Sequence, residues 1–214
     1  ESESRGLGDV YKRQIRMLSS VQLTPGTLVV NEVFTPEQCE QIIQDATNWT
    51  KRKAEVYQSG TSATINPDTR LGNTYSCPQE IIHNAWWRSR IDSVAIHYLR
   101  KQYPISLNWT NIEIQMVEYA DPGDLFGEHR DAHLTQQFYP GIMRKLSMSV
   151  ELTNPKHYTG ANLKIVNDDS STIRPDTDQG DVVVFPSWQP HKVTELETGI
   201  RRALVVWYYG PFWT

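Results

Sequence analysis

Seven short β-rich runs crowd the second half of this chain: Ile112–Tyr119, Lys145–Leu152, Leu163–Val166, Thr172–Arg174, Val182–Phe185, Lys192–Thr194 and Arg202–Tyr209. Turn residues separate each from the next, so no run is long enough to be a helix and none can bury its apolar face alone. Closely spaced strands of this kind suit two antiparallel sheets packed face to face, a sandwich or jelly roll that encloses a pocket and leaves few open edges.

The first half reads differently. After an expected strand over Thr27–Phe34, Thr35-Pro36-Glu37-Gln38 combines a capping hydroxyl, a proline at the first helical position and a glutamine three residues on, which marks a helix start. That helix should run to about Thr47. A second helix is expected over Pro78–Gln102, where Ile81, Ile82, Trp86, Ile91, Val94, Ala95 and Tyr98 recur at helical spacing and read as core. His83 and His97 fall in this region and read as structural or surface residues. Between the helices, Lys51–Thr74 is polar and Gly-bearing with scattered aromatics, a candidate substrate lid. The fold class expected is therefore mainly β, with N-terminal helices buttressing one sheet.

At 214 residues with a formal charge of −4, one domain is expected over residues 17–214, with a helical part over 17–110 and a β-rich core over 111–214. Residues 1–16 are polar and without periodicity, and are expected to be a disordered tail. Part of it, Arg5–Gln14, resembles translated sequencing-adapter read-through, which makes Met17 a candidate start. The mild acidity gives no electrostatic footprint for nucleic acid or an anionic membrane. No apolar run reaches the roughly 20 residues a spanning helix needs. Cys39 and Cys77 allow one disulfide but no framework, and are read as reduced thiols of a cytoplasmic protein.

The chemistry concentrates in His129-Arg130-Asp131, in His191 sixty positions further on, and in Arg201. In an extended segment residues i and i+2 point the same way, so His129 and Asp131 can converge on one ion while Arg130 points elsewhere. Two imidazoles and one carboxylate on one face of a metal leave the opposite positions open, the arrangement of non-haem Fe(II) oxygenases. A bare H-x-D occurs by chance in many chains. Here the second histidine follows the β-branched run Val182-Val183-Val184-Phe185, and Arg201 opens another strand. An arginine opening a buried strand suggests a buried anion held by its bidentate fork.

On these residues the chain resembles the 2-oxoglutarate- and Fe(II)-dependent dioxygenases of the prolyl 4-hydroxylase type, in particular the PKHD-type hydroxylases of bacteria and phages. The resemblance runs from about Ile112 to the C-terminus through Tyr119, Phe126-Gly127-Glu128-His129-Arg130-Asp131, Lys145-Leu146-Ser147, Leu152-Thr153-Asn154-Pro155, Tyr158-Thr159-Gly160, Gly180-Asp181, Phe185-Pro186-Ser187, His191-Lys192-Val193-Thr194 and Gly199-Ile200-Arg201. It implies a double-stranded β-helix (a cupin-like jelly roll), Fe(II) held by His129, Asp131 and His191, and 2-oxoglutarate anchored by Arg201 with Tyr119 as a weaker contact. It also implies O2 as co-substrate, ascorbate as a reductant, and hydroxylation of a C–H bond with release of succinate and CO2. Asp131 as third ligand argues against a halogenase, which needs that position vacant.

Two positions depart from the pattern. Gly160-Ala161-Asn162-Leu163 stands where the family usually has Gly-Gly-Glu-Leu, a change expected to alter a turn. Glu151 shares a strand face with Ser147 and Ser149, where relatives place an uncharged residue near the co-substrate. It either points elsewhere, pairs with a cation such as Arg202 or Lys164, or shapes the substrate site. Candidate substrate-rim residues are Arg130, His133 and Trp188. For each the plain reading is also open: exposure for His133, packing for Trp188, and a satisfied core tyrosine for Tyr119. Three functional classes remain: an oxygenase acting on a prolyl or other residue in a peptide, one acting on a free amino acid or other small molecule, and a non-enzymatic binding module of the same fold. The full triad with Arg201 disfavours the third.

Overall fold

The structure is a computed structural model that describes residues 18–54, 56–57, 63–64, 69–102, 104–132 and 141–212. Numbered in chain order, its elements are β1 (Ser20–Thr24), β2 (Thr27–Val30), α1 (Pro36–Ala46), β3 (Thr50–Lys53), β4 (Val56–Tyr57), β5 (Ala63–Thr64), β6 (Asn73–Ser76), α2 (Gln79–Ile82) and α3 (Arg88–Lys101). They continue with β7 (Asn108–Tyr119), β8 (Phe126–His129), β9 (Ile142–Glu151), β10 (Tyr158–Gly160), β11 (Leu163–Val166), β12 (Thr172–Ile173), β13 (Val182–Pro186), β14 (His191–Val193), β15 (Leu196–Gly199) and β16 (Arg201–Pro211).

An eight-stranded sheet in the order β1-β2-β13-β9-β16-β7-β6-β3 is accompanied by a four-stranded sheet in the order β12-β11-β14-β8, with β10 and β15 forming a separate pair. These are the sheets of a double-stranded β-helix, as expected. Strand alternation decides what each face of the large sheet meets. On one face Ile112, Ile114 and Met116 of β7, Leu146, Met148 and Val150 of β9, and Leu204, Val206 and Tyr208 of β16 are fully buried against the helices. The helices answer at their own period, with Cys39, Ile42 and Ala46 from α1 and Ile91, Val94, Ala95 and Tyr98 from α3. Residues of the opposite parity, among them Tyr119, Ser147, Ser149, Glu151, Val183 and Arg201, belong to the other face, and all are buried.

Helix α1 begins as its sequence specifies. Thr35 accepts from the Gln38 amide at 3.3 Å and Gln38 returns a bond to the Thr35 amide at 3.0 Å. The long second helix does not form as one piece. It is interrupted between Ile82 and Arg88, where Trp87 is buried with its ring 6.4 Å from that of Trp49. Trp86 stands edge-on to Phe34 and is 43% exposed, and Ile81 is 40% exposed, so neither is the core residue that helical spacing implied. His97 bonds the Ser20 hydroxyl at 2.9 Å, a structural role. The proposed lid region contributes the edge strand β3 and the start of its neighbour β6 to the large sheet, and most of its middle lies outside the described residues.

The start of β13 depends on Gly180. A Cβ there would lie 1.9 Å from the Phe34 carbonyl oxygen, and its φ of +93° is one that L side chains resist. Ala161 occupies the family's second glycine position with φ +43°, so the altered turn keeps a left-handed backbone at a cost of about 1–2 kcal/mol. Cys39 and Cys77 are free, and burial pushes both thiols up to about 12. Among the described residues no helix is long and apolar enough to cross a membrane.

Candidate active site

Strands β8 and β14 pair antiparallel with His129 directly opposite His191. That register, more than the sequence spacing, brings the two imidazoles together, with ring centroids 4.2 Å apart. Asp131 follows just beyond β8. Its Oδ1 lies 3.5 Å from His129 Nε2 and its Oδ2 3.5 Å from His191 Nε2, and one ligand atom from each of the three residues falls within 4.8 Å of the others. Donors about 2.1 Å from one ion and at right angles to each other are about 3 Å apart, so small side-chain adjustments suffice to share an ion.

The ring orientations are fixed from behind. His129 Nδ1 is 2.8 Å from the Gly127 carbonyl and His191 Nδ1 is 3.0 Å from the Gln189 carbonyl. A carbonyl only accepts, so each Nδ1 carries the proton and each Nε2 presents its lone pair to the shared point. Phe126 stacks on His129 at 3.5 Å and Phe185 lies 4.7 Å from His191, which restricts both rings. Asp131 Oδ2 accepts from the Ser147 hydroxyl at 2.7 Å, and Ser147 is bonded in turn to the Ser187 hydroxyl at 2.8 Å. Both serines are fully buried.

Burial alone would raise the Asp131 carboxyl, but His191 and His129 hold it below the usual carboxylate range. Burial pulls His191 down to about 4, against the opposing pull of Asp131. At neutral pH the site therefore offers one carboxylate and a neutral His191, the protonation states a metal requires of its ligands. Two imidazole nitrogens and one carboxylate oxygen are a donor set that fits Fe(II).

Arg201 and Tyr119 are paired across β16 and β7, with the guanidinium carbon 5.8 Å from the tyrosine ring. Arg201 is only 3% exposed, and its Nε and Nη2 both donate to Glu151 Oε2, at 3.0 and 2.9 Å. Glu151 thus pairs with the arginine expected to anchor the co-substrate, and not with Arg202, which is bonded to Glu118 at 2.8 Å. Burial would lower Arg201, but the Glu151 carboxylate more than offsets it and keeps the guanidinium charged. A guanidinium has five N–H donors, so those not turned to Glu151 remain available to a second carboxylate.

Towards the other end of this sheet face, Arg144 lies 4.0 Å over the Trp207 ring and donates to Glu113 Oε2 at 2.6 Å, and Tyr209 donates to the same oxygen at 2.9 Å. Arg144 is close enough to Asp131 to help hold its carboxyl down, and the buried Trp207 indole nitrogen has no hydrogen-bond partner. Sequence reasoning missed this cluster and Ser147. The signal was available in the alternation of β7, β9 and β16, where polar residues occupy the face away from the helices. Of the expected rim residues, Arg130 is exposed and its Nη1 donates to the Trp188 carbonyl, tying together the two segments that carry the ligands. Trp188 packs against the main core. His133 lies outside the described residues.

Residues 114–209 match the family model for the 2OG-Fe(II) oxygenase superfamily. The matched segment contains His129, Asp131, His191 and Arg201. The family's cofactor and co-substrate are Fe(II) and 2-oxoglutarate, and the His-Asp-His triad for the metal is present. Among curated relatives, a PKHD-type hydroxylase of Klebsiella pneumoniae is 32% identical over 87 residues, a match covering 40% of this chain and only 38% of that protein. Among solved structures, a Pseudomonas putida prolyl-4-hydroxylase superposes with a TM-score of 0.65 at 16% identity over 86% of this chain and 93% of that one. A Trichoplax adhaerens prolyl hydroxylase, solved with a hypoxia inducible factor peptide fragment, gives 0.56 at 14% identity over 87% of this chain and 84% of that one. At these identities the structural matches speak for the fold.

Proposed function

We propose that this protein is an Fe(II)- and 2-oxoglutarate-dependent dioxygenase that hydroxylates an unactivated C–H bond, with a prolyl residue in a peptide or protein as its target. The observation that carries the reading is the convergence of His129, Asp131 and His191, with both histidines turned by backbone carbonyls so that Nε2 faces one point. When bound, Fe(II) and 2-oxoglutarate supply oxidative decarboxylation to succinate and CO2, coupled to insertion of one oxygen atom of O2 into the substrate.

The chain's own residues do the rest. His129, Asp131 and His191 would hold the metal. Ser147 keeps Asp131 oriented, and Arg201 with Tyr119 receives the far end of the co-substrate. The walls of Phe126 and Phe185 keep water from the ligand rings. Selectivity then rests on groups that place the target C–H bond. The part-exposed Arg144 guanidinium, stacked over Trp207, is a donor suited to a backbone carbonyl of a bound peptide. Support for a peptide also comes from the peptide-bound Trichoplax relative and from the prolyl hydroxylase name of the Pseudomonas one, both by analogy of fold.

The experiment is to incubate the protein with Fe(II), 2-oxoglutarate and O2 and a panel of proline-containing peptides and free amino acids. Succinate release together with a one-oxygen mass gain on a prolyl peptide is expected. A gain only on a free amino acid would overturn the peptide assignment, and no succinate with any substrate would overturn the enzymatic one.

A further inference from the structure

Glu151 is an unusual neighbour for a carboxylate-binding arginine. It is 5% exposed, and its Oε2 takes both hydrogen bonds from Arg201. Its Oε1 is buried with no hydrogen bond of ordinary length, although the Tyr158 hydroxyl and the Thr153 amide are close enough to lower the carboxyl. The residue lines a small cavity together with Ser149, Tyr158, Leu163, Val183 and Arg201. A buried acceptor without a donor is costly, and a carboxylate oxygen more so than a neutral one. No short hydrogen bond is directed at Oε1.

The co-substrate assigned under the proposed function would bring a second carboxylate to the same guanidinium. Two carboxylates that share one cation in a buried space repel each other unless one carries a proton, and a proton between them also gives Oε1 a short hydrogen bond. We infer that Glu151 is a co-substrate-binding residue that admits the distal carboxylate of 2-oxoglutarate together with one proton, shared between the two carboxyl groups on Arg201. The inference rests on the dioxygenase reading for the identity of the ligand.

Burial of Glu151 favours this route, and the groups that face it oppose it. Arg201 from β16 is its counter-ion, with Tyr119 of β7 beyond, and the Tyr158 hydroxyl of β10 and the Thr153 amide also help to hold its carboxyl down. Cys39 of α1 touches its backbone oxygen at 3.9 Å, and the Asp181 carbonyl accepts from its amide at 3.0 Å. Arg174, after β12, also lines the cavity but is exposed, so solvent screens its charge. Burial already pushes the Glu151 carboxyl up, against the pull of Arg201. No proton moves to the metal ligands in this scheme. Solvent supplies one proton, and it ends on the Glu151–co-substrate pair.

The test is anaerobic titration calorimetry of the full chain loaded with Mn(II), adding 2-oxoglutarate at neutral pH in two buffers of different ionisation enthalpy. About one proton should be taken up per ligand, and affinity should fall by up to about tenfold per pH unit as pH rises. Glu151→Gln should bind 2-oxoglutarate with no uptake and a flat pH profile. In the wild-type chain 2-oxobutyrate, which lacks the distal carboxylate, should bind with no uptake, a control that does not depend on the variant folding. Binding of 2-oxoglutarate with no proton uptake would overturn the inference and leave the dioxygenase reading standing. Uptake with both keto acids, or uptake unchanged in Glu151→Gln, would place the proton elsewhere and overturn it too. A wild-type chain that binds no 2-oxoglutarate would overturn both.

Discussion

Replacing Ser147 with alanine removes a single oxygen atom from a fully buried site, and its consequences can be worked through. The hydroxyl donates to Asp131 Oδ2 at 2.7 Å and is bonded to Ser187 at 2.8 Å. A hydrogen bond to an ionised group is worth about 1.5–3 kcal/mol, and the Ser187 hydroxyl, which also loses its buried partner, adds about 1 kcal/mol. The missing oxygen leaves too small a void to add much. Folding stability should therefore fall by roughly 2–4 kcal/mol, which in a chain of this length lowers Tm by several degrees.

Metal affinity responds for a different reason. The hydrogen bond exists with and without the ion, so its energy largely cancels, and what is lost is the orientation of Asp131 before binding. Removing an outer group that orients a ligand typically weakens binding about 10- to 100-fold, or about 1.4–2.8 kcal/mol. Mn(II) titration by calorimetry under anaerobic conditions, with circular dichroism to check the fold, measures it directly. Serine at 187 replaced as well should add little to the metal effect, since Ser187 acts through Ser147. Mn(II) affinity within about twofold of wild type in a folded Ser147→Ala protein would show that Asp131 needs no such support, and the reasoning would fail.

Other expectations follow from the same geometry. His129→Ala, Asp131→Ala and His191→Ala should each abolish stoichiometric Mn(II) binding in calorimetry and iron-dependent succinate formation, and retained binding in any one of them would remove that residue from the ligand set. Arg201→Ala leaves the buried Glu151 carboxylate without its counter-ion, so chemical denaturation should show a loss of about 3–5 kcal/mol, along with a raised 2-oxoglutarate requirement. The double change Glu151→Leu with Arg201→Met should recover much of that stability. Thr35→Ala removes the cap of α1 and should cost about 1 kcal/mol in urea unfolding, with no change in metal affinity.

Much of the fold was legible because its signals are local. The capping box at Thr35 and Gln38, the apolar period of Ile91, Val94, Ala95 and Tyr98, and the alternation along β7 and β9 each depend on residues within a few positions of one another. Where a local pattern met a non-local demand it failed. Helical spacing carried through Trp86, yet the helix is interrupted there, where Trp87 is buried with its ring 6.4 Å from that of Trp49. The polar segment ahead of Thr74 supplied sheet edges because β6 found a partner in β7, forty residues away in the chain. Glu151 was visible as a misfit on its strand face, but a strand face does not say which of several cations comes opposite.

By itself the sequence determined which side chains were on offer: two imidazoles and a carboxylate in extended segments, an arginine opening a strand, and polar residues alternating with apolar ones on the strands between. Tertiary structure alone decided which of them meet. The register of β8 against β14 sets His129 opposite His191, and the neighbouring strands β9 and β16 bring Arg201 to Glu151 across 50 positions of chain. Strand pairing is settled by burial over whole faces of a sheet, and a shift of one residue would turn every one of these groups away from the site.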